Sequence, residues 1–86
     1  MPRIRTQQLL ERIANGDFNV VKLKGSQSGI FYMLLEGADG SFIHENPDGS
    51  MKEYPQADYA LSWLKRKTSV REVVLDIELW QTDKKS

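Results

Sequence analysis

The chain has no cysteine among its 86 residues, which excludes a disulfide framework, a thiolate nucleophile and a zinc–cysteine cluster. Its longest apolar run covers residues 30–35 and is too short to cross a membrane. The N-terminus lacks the apolar stretch of a signal peptide. These absences predict a cytoplasmic protein that does not enter a membrane. A chain of this length also has a thin core, so association with a partner or a second copy would help it.

An excess of either charge is also missing, because 12 lysines and arginines balance 12 aspartates and glutamates. Zero net charge disfavours a dedicated nucleic-acid-binding protein, whose domain is usually strongly basic. The charges are unevenly distributed, since residues 36–60 hold six acids and one base and bases predominate on either side. Such segments either create a dipolar surface or neutralise one another on folding, and we favour neutralisation.

Two Asp-Gly pairs, Asp39-Gly40 and Asp48-Gly49, interrupt apolar segments in the middle of the chain. Asp-Gly between apolar segments is a strong hairpin signal, because tight hairpin turns need positive φ angles. The pattern predicts an antiparallel meander. Residues 30–35, apolar on both faces, are its central strand, and 42–45 and 51–54 form the following hairpin.

Two further segments, residues 6–15 and 56–67, have the 3.6-residue apolar period of amphipathic helices. Thr6 is the predicted N-cap of the first helix, because its hydroxyl can accept hydrogen bonds from the first backbone amides. Asn15-Gly16 supplies the expected stop at the C-terminal end of that helix.

Strands are predicted at 17–24 and 70–81 beside the meander, so the element order is α-β-β-β-(β)-α-β. The fold class is α+β, with both helices packed on one face of an antiparallel sheet of four to five strands. This single domain spans residues 1–81, and residues 82–86 form a disordered polar tail. The alternating aliphatic residues of the last strand would face the helices. The predicted core contains Leu10, Ile13, Leu61, Leu64, Leu75 and Ile77.

Catalytic and ligand-binding motifs are missing from the sequence. His44, the one histidine, would need a nucleophile and an oxyanion hole, and no G-x-S-x-G elbow occurs. We expect it on the wet face of a strand, where Glu45 points to the other side. The acids near Asp39 and Asp48 lack the spacing of a calcium loop, and residues 25–29 lack the ending of a phosphate loop. An enzyme is therefore disfavoured, and no catalytic, cofactor-binding or metal-binding residue is assigned.

Trp80 lies on the polar face of the last predicted strand, together with Asp76 and Glu78. Exposed aromatic side chains among charges are common at contact surfaces, although Trp80 packing on the domain's own sheet is the alternative. A long edge strand can also pair with a second chain. Arg71 would then meet an acid of the other copy. The sequence favours a protein-interaction module, acting through a protein partner or as a homodimer, with Arg71, Asp76, Glu78 and Trp80 as candidate interface residues.

The alternative hypothesis is a nucleic-acid-binding accessory protein, because basic residues recur in groups that could form a phosphate-contacting face. The densest group is Lys65, Arg66 and Lys67, followed by Arg71. Phosphate binding would weaken steeply with salt, unlike a hydrophobic interface, and this separates the two hypotheses. The full candidate set is Arg3, Arg5, Lys22, Lys24, Lys65, Arg66, Lys67 and Arg71.

Overall fold

The computed structural model describes residues 1–81, so the disordered tail predicted at 82–86 lies outside the described residues. The chain forms a five-stranded sheet and two helices, which agrees with the predicted α+β class. The elements are, in chain order, β1 (Arg3–Arg5), α1 (Thr6–Ala14), β2 (Phe18–Gly25), β3 (Phe31–Gly37), β4 (Gly40–Glu45), α2 (Ala57–Lys67) and β5 (Val74–Asp76).

The sheet is mixed, so the prediction of an antiparallel sheet is wrong. Its spatial order is β1-β4-β3-β2-β5, with β3 in the centre as its two apolar faces predicted. The inner pairs β2–β3 and β3–β4 are antiparallel, whereas the outer pairs β1–β4 and β2–β5 are parallel. Parallel neighbours need a long connection that returns the chain to the same end of the sheet, and helix-containing connections do so in both cases.

Both predicted helices are present with nearly the predicted ends. The prediction of Thr6 as N-cap is wrong, because Arg5 occupies that position and makes no capping hydrogen bond through its side chain. The Thr6 hydroxyl lies 2.8 Å from His44 Nε2 instead. The chain leaves α1 through Gly16, whose φ of 78° agrees with the predicted glycine stop. Within residues 1–81, neither helix is long and apolar enough to cross a bilayer.

The β3–β4 hairpin confirms that Asp39-Gly40 forms a turn. Gly37 pairs with Gly40 across it, and Gly40 has a φ of 112°, which an L side chain would adopt only with strain. Asp48-Gly49 also lies in a turn, with a φ of 89° at the glycine. Residues 51–54 do not form the predicted strand, because only isolated bridges join them to β3 and β4.

The core combines side chains from alternate positions of β2 and β3 with residues of both helices. Of the predicted core residues, Leu64 is buried, and Leu10 and Ile13 are partly buried against the core. The core cluster consists of Ile4, Leu9, Val21, Leu23, Phe31, Met33, Leu35, Tyr54, Ala60 and Leu64.

Leu61, Leu75 and Ile77 are exposed, so their predicted burial is wrong. β5 lies at the edge of the five-stranded sheet, and its aliphatic side chains Val74 and Leu75 remain exposed there. The long strand predicted at 70–81 is reduced to β5, after which the chain turns and Trp80 N donates to Ile77 O at 3.1 Å.

Candidate functional site

The edge strand β5 is attached to the sheet along one side. It runs parallel to β2, with Leu75 opposite Leu23 and Asp76 opposite Lys24. No other strand within residues 1–81 pairs with β5. An edge strand presents backbone N–H and C=O groups that can pair with another chain. The position of β5 therefore permits the addition of a strand.

Four aliphatic side chains in and just after β5 are exposed, each with 50% to 58% of its surface accessible. Leu75 is in register with the buried Leu23, yet it is not among the residues packed against the core. Exposed aliphatic residues are ordinary when scattered, whereas several within one short segment are typical of contact surfaces. We call this set the apolar edge segment: Val74, Leu75, Ile77 and Leu79.

The apolar edge segment was not expected to be exposed, because Leu75, Ile77 and Leu79 belong to the aliphatic face that the sequence predicted to lie against the helices. The signal that would have found it is the small area of helix available to cover the sheet. Two short helices cannot bury the aliphatic side chains of every predicted strand, and a strand at the edge of the sheet is uncovered first.

Trp80 anchors the far end of the apolar edge segment to the sheet. Its ring stacks on Phe31, with centroids 5.6 Å apart and planes 27° from parallel. Its Nε1 donates a 3.1 Å hydrogen bond to the Gly29 carbonyl oxygen. The Trp80 Cβ lies against Gly25, where any side chain would collide with it. Trp80 thus packs on the domain's own sheet, which is one of the two positions considered for it from the sequence.

The loop between β2 and β3 holds this anchor in place. Ser26 N donates to Ile30 O at 2.9 Å, and Gly29 N donates to Ser26 O at 3.0 Å, which closes a tight turn. Gln81 N adds a 3.3 Å hydrogen bond to Ser26 O. The apolar edge segment is therefore fixed at both ends, by the pairing of β5 and by Trp80. A partner that binds a fixed segment loses less conformational entropy in the process.

The charged candidate interface residues lie beside the apolar edge segment in different settings. Asp76 is partly buried, with Oδ2 3.8 Å from Lys24 Nζ, and its Oδ1 accepts a hydrogen bond from Glu78 N. Glu78 and Arg71 are exposed. Arg71 Nη1 donates to two backbone carbonyl groups that precede it in the chain. Asp76 thus shapes the backbone, whereas Glu78 and Arg71 present their charge to solvent.

The predicted phosphate-contacting residues separate into two sets. Lys22, Lys24 and Arg5 form ion pairs with carboxylates at 3.2 to 3.8 Å, so their charge is compensated. Arg3 donates a 2.8 Å hydrogen bond to Gly49 O. These residues belong to strands β1 and β2. The other four line one open cleft of about 360 Å³ between the last turns of α1 and α2: Lys65, Arg66, Lys67 and Arg71.

His44 is buried, so its predicted position on a wet face is wrong. Its side chain is packed 5.5 Å from the ring of Trp63, measured between centroids, and its Nε2 contacts the Thr6 hydroxyl. Burial lowers the pKa of His44 from 6.5 to about 4, and the nearby charge of Lys52 contributes to the same effect. The ring is therefore neutral at pH 7. Its Nδ1 has no hydrogen-bond partner within residues 1–81.

The acids of the two turns contact residues of the domain itself. Asp39 Oδ2 lies 2.8 Å from Arg12 Nη2. Asp48 Oδ1 accepts hydrogen bonds from the Ser50 hydroxyl and amide, which lower the pKa of Asp48. In the described part of the chain, no group of three or more histidine, aspartate or glutamate side chains is arranged to hold a metal ion. No protein-family model matches the chain, and comparisons with curated proteins and with solved structures found no match.

Proposed function

We propose that this protein is a small interaction module that binds a second copy of itself through the apolar edge segment. The observation that supports the proposal is an edge strand carrying four exposed aliphatic side chains within one short segment. Association would remove these side chains from water, which stabilises a complex by about 25 cal/mol per Å² of apolar surface buried. The backbone groups at the edge of β5 would align the two copies.

A second copy fits this edge because an antiparallel pair is complementary in both shape and charge. If Leu75 of one copy lies opposite Leu75 of the other, the Arg71 end of each copy runs alongside the Glu78 end of its partner. Aliphatic side chains then meet across the two-fold axis, and opposite charges meet at its ends. In this arrangement Trp80 and Asp76 hold the segment in shape, while Arg71 and Glu78 contact the other copy.

We also propose that the protein is not an enzyme and that it is cytoplasmic. His44 is neutral, packed and engaged with Thr6, so it lacks the exposure that a general base needs to meet a substrate. A chain without cysteine suits a reducing compartment, because it depends on no disulfide.

Sedimentation velocity over a concentration series that reaches the high micromolar range tests the proposal. The variant Leu75→Gln/Ile77→Gln makes two positions of the apolar edge segment polar. The matched control, Tyr59→Gln/Leu61→Gln, replaces two exposed apolar side chains of α2 in the same way. We expect the wild type and the control to dimerise, and the edge variant to associate at least about tenfold more weakly.

Monomeric wild-type protein at every concentration would refute the proposal. Equal weakening by the two double variants would also overturn it, because the interface would then not be specific to β5. Circular dichroism melts of all three proteins establish that they are folded. Since the substituted side chains are exposed, we expect the melting curves at low concentration to be closely similar.

A further inference from the structure

A cluster of cations lies in the cleft between the last turns of α1 and α2. Lys65, Arg66 and Lys67 are exposed and end α2, and Arg71 follows them in the chain and lines the same cleft. Leu10 and Ile13 of α1 line the same cleft. We call this site the basic cleft and define it by its four cations: Lys65, Arg66, Lys67 and Arg71.

The charge of the basic cleft is not compensated within residues 1–81. Every ion pair in this part of the chain uses Arg5, Arg12, Lys22 or Lys24 as its cation. Cations in the last turn of α2 are favoured by the helix dipole, which contributes roughly 0.3–1 kcal/mol at an exposed site. Arg71 lies beyond that turn, so the helix dipole does not account for the fourth cation of the basic cleft.

Arg71 is positioned to bind a ligand. Its Nη1 donates to Thr68 O at 3.1 Å and to Val70 O at 2.7 Å, and both bonds fix the guanidinium beside the end of α2. Its Nε and Nη2 donate no hydrogen bond to any group within residues 1–81. A fixed guanidinium with unused donors matches the oxygen atoms of a phosphate group better than a mobile ammonium does.

We propose that the basic cleft binds the phosphate backbone of duplex nucleic acid without reading its sequence. A duplex backbone presents phosphate charges at regular, close spacing and can engage several cations of one cleft together. No aromatic residue lines the cleft in the described chain. Stacking on bases, on which single-strand binders depend, therefore has no platform, and contacts to phosphate carry no sequence information. Arg71 also lies at the end of the proposed dimer interface, whereas Lys65, Arg66 and Lys67 do not, so the inference is tested on those three cations.

Fluorescence anisotropy with labelled DNA and RNA duplexes, measured over a range of salt concentrations, tests the inference. The variant Lys65→Gln/Arg66→Gln/Lys67→Gln removes three cations from the cleft. The control Arg3→Gln/Lys22→Gln/Lys24→Gln makes the same change in net charge on strands β1 and β2. If all four cations of the cleft contact phosphates, a plot of log binding constant against log salt concentration has a slope of about −3.6. The slope should be only about −0.9 in the cleft variant, which keeps one of the four contacts.

We expect binding at low salt that weakens at least about tenfold in the cleft variant and less than about twofold in the control. Equal losses in the two variants would overturn the inference, as would duplex affinity that depends on sequence or is undetectable at low salt. Vesicles containing phosphatidylserine form a separate arm. Binding to vesicles but not to duplexes would assign the cleft to a membrane surface instead. The single variant Arg66→Gln, with an expected slope change of about 0.9, provides the check if the triple variant fails to fold.

Discussion

The two edges of the sheet are strands of the same length with opposite chemistry. β1 and β5 each contain three residues, and each runs parallel to its neighbour. Ile4, in the middle of β1, is 3% exposed, whereas Leu75, in the middle of β5, is 52% exposed. Ile4 belongs to the core cluster together with Leu9 of α1, and Leu75 does not belong to it. One edge is therefore packed into the domain and the other remains open.

Charge strengthens this difference between the edges. Arg3 and Arg5 flank Ile4, and Arg5 Nε lies 3.2 Å from Glu45 Oε2. Charged side chains on an edge strand discourage pairing with another chain. The corresponding positions around Leu75 are held by Val74, which is exposed, and by Asp76, which is turned towards Lys24. The two edges therefore differ in both cover and charge, and of the two it is β5 that combines an open edge with exposed aliphatic side chains.

The largest expected effect comes from truncating the middle residue of each edge strand. Ile4→Ala should lower the free energy of unfolding by about 2–5 kcal/mol, because it removes buried methyl groups from the core. Leu75→Ala should change it by less than about 1 kcal/mol in dilute protein, because its side chain is already half in water. Urea melts at low concentration provide both values. Similar losses in the two variants would mean that Leu75 is packed as firmly as Ile4.

The stability of the side of the sheet formed by β1 and β4 should also depend on pH, because the buried His44 lies in β4. The pKa of His44 is lowered to about 4 in the folded protein, against 6.5 when unperturbed. The unfolded chain therefore takes up the proton first as the pH falls. The neutral ring makes its full contribution to the free energy of unfolding above pH 6.5. This contribution decreases as the pH falls towards 4, and the total decrease is no more than about 3 kcal/mol.

Urea melts of the wild type and His44→Gln across that pH range isolate this contribution. Carboxylates also titrate near pH 4, so the difference between the two proteins is the quantity measured. His44→Gln should be less stable than the wild type at pH 7, and the gap should narrow as the pH falls from 6.5. Curves that remain parallel would contradict a buried neutral imidazole.

A smaller effect is expected from the anchor of the open edge. Trp80→Ala removes the stack on Phe31 and the hydrogen bond to Gly29, and should lower stability by about 2 kcal/mol, because the ring is only partly buried. Trp80→Phe keeps an aromatic ring on Phe31 and should lose about 1 kcal/mol, from the missing hydrogen bond. Amide exchange within β5 should accelerate in Trp80→Ala. Unchanged exchange there would show that β5 is held by its pairing with β2 alone.

Local features of this fold could be predicted from the sequence because short segments determine them. Helices near 6–15 and 56–67 follow from apolar periodicity, and the turn at Asp39-Gly40 follows from the positive φ that glycine permits. The direction of the outer strands depends on pairing between distant segments, which periodicity does not report. β1 was missed for the same reason, since Ile4 is a single apolar residue between two arginines.

The interface expected at residues 70–81 stays a prediction, and the structure places the side chains of this segment differently from the sequence pattern: Leu75 and Ile77 are exposed, and Trp80 packs on the sheet. Alternation in residues 70–81 separates an aliphatic face from a face with Trp80, but it does not say which face the domain covers. Two structural facts decide it. Gly25 leaves space for Trp80 beside the sheet, and β5 lies at the edge of the sheet, where Leu75 is exposed. Both depend on tertiary packing.

The most direct test of the central claim is an isotope-filtered NMR experiment on a mixture of labelled and unlabelled protein at high concentration. It detects nuclear Overhauser effects only between copies, so it examines both edges of the sheet in one sample. We expect intermolecular contacts among the methyl groups of Val74, Leu75, Ile77 and Leu79, and none from Ile4. Intermolecular contacts that map to β1, or no contacts at all at a concentration where the protein remains folded, would contradict it.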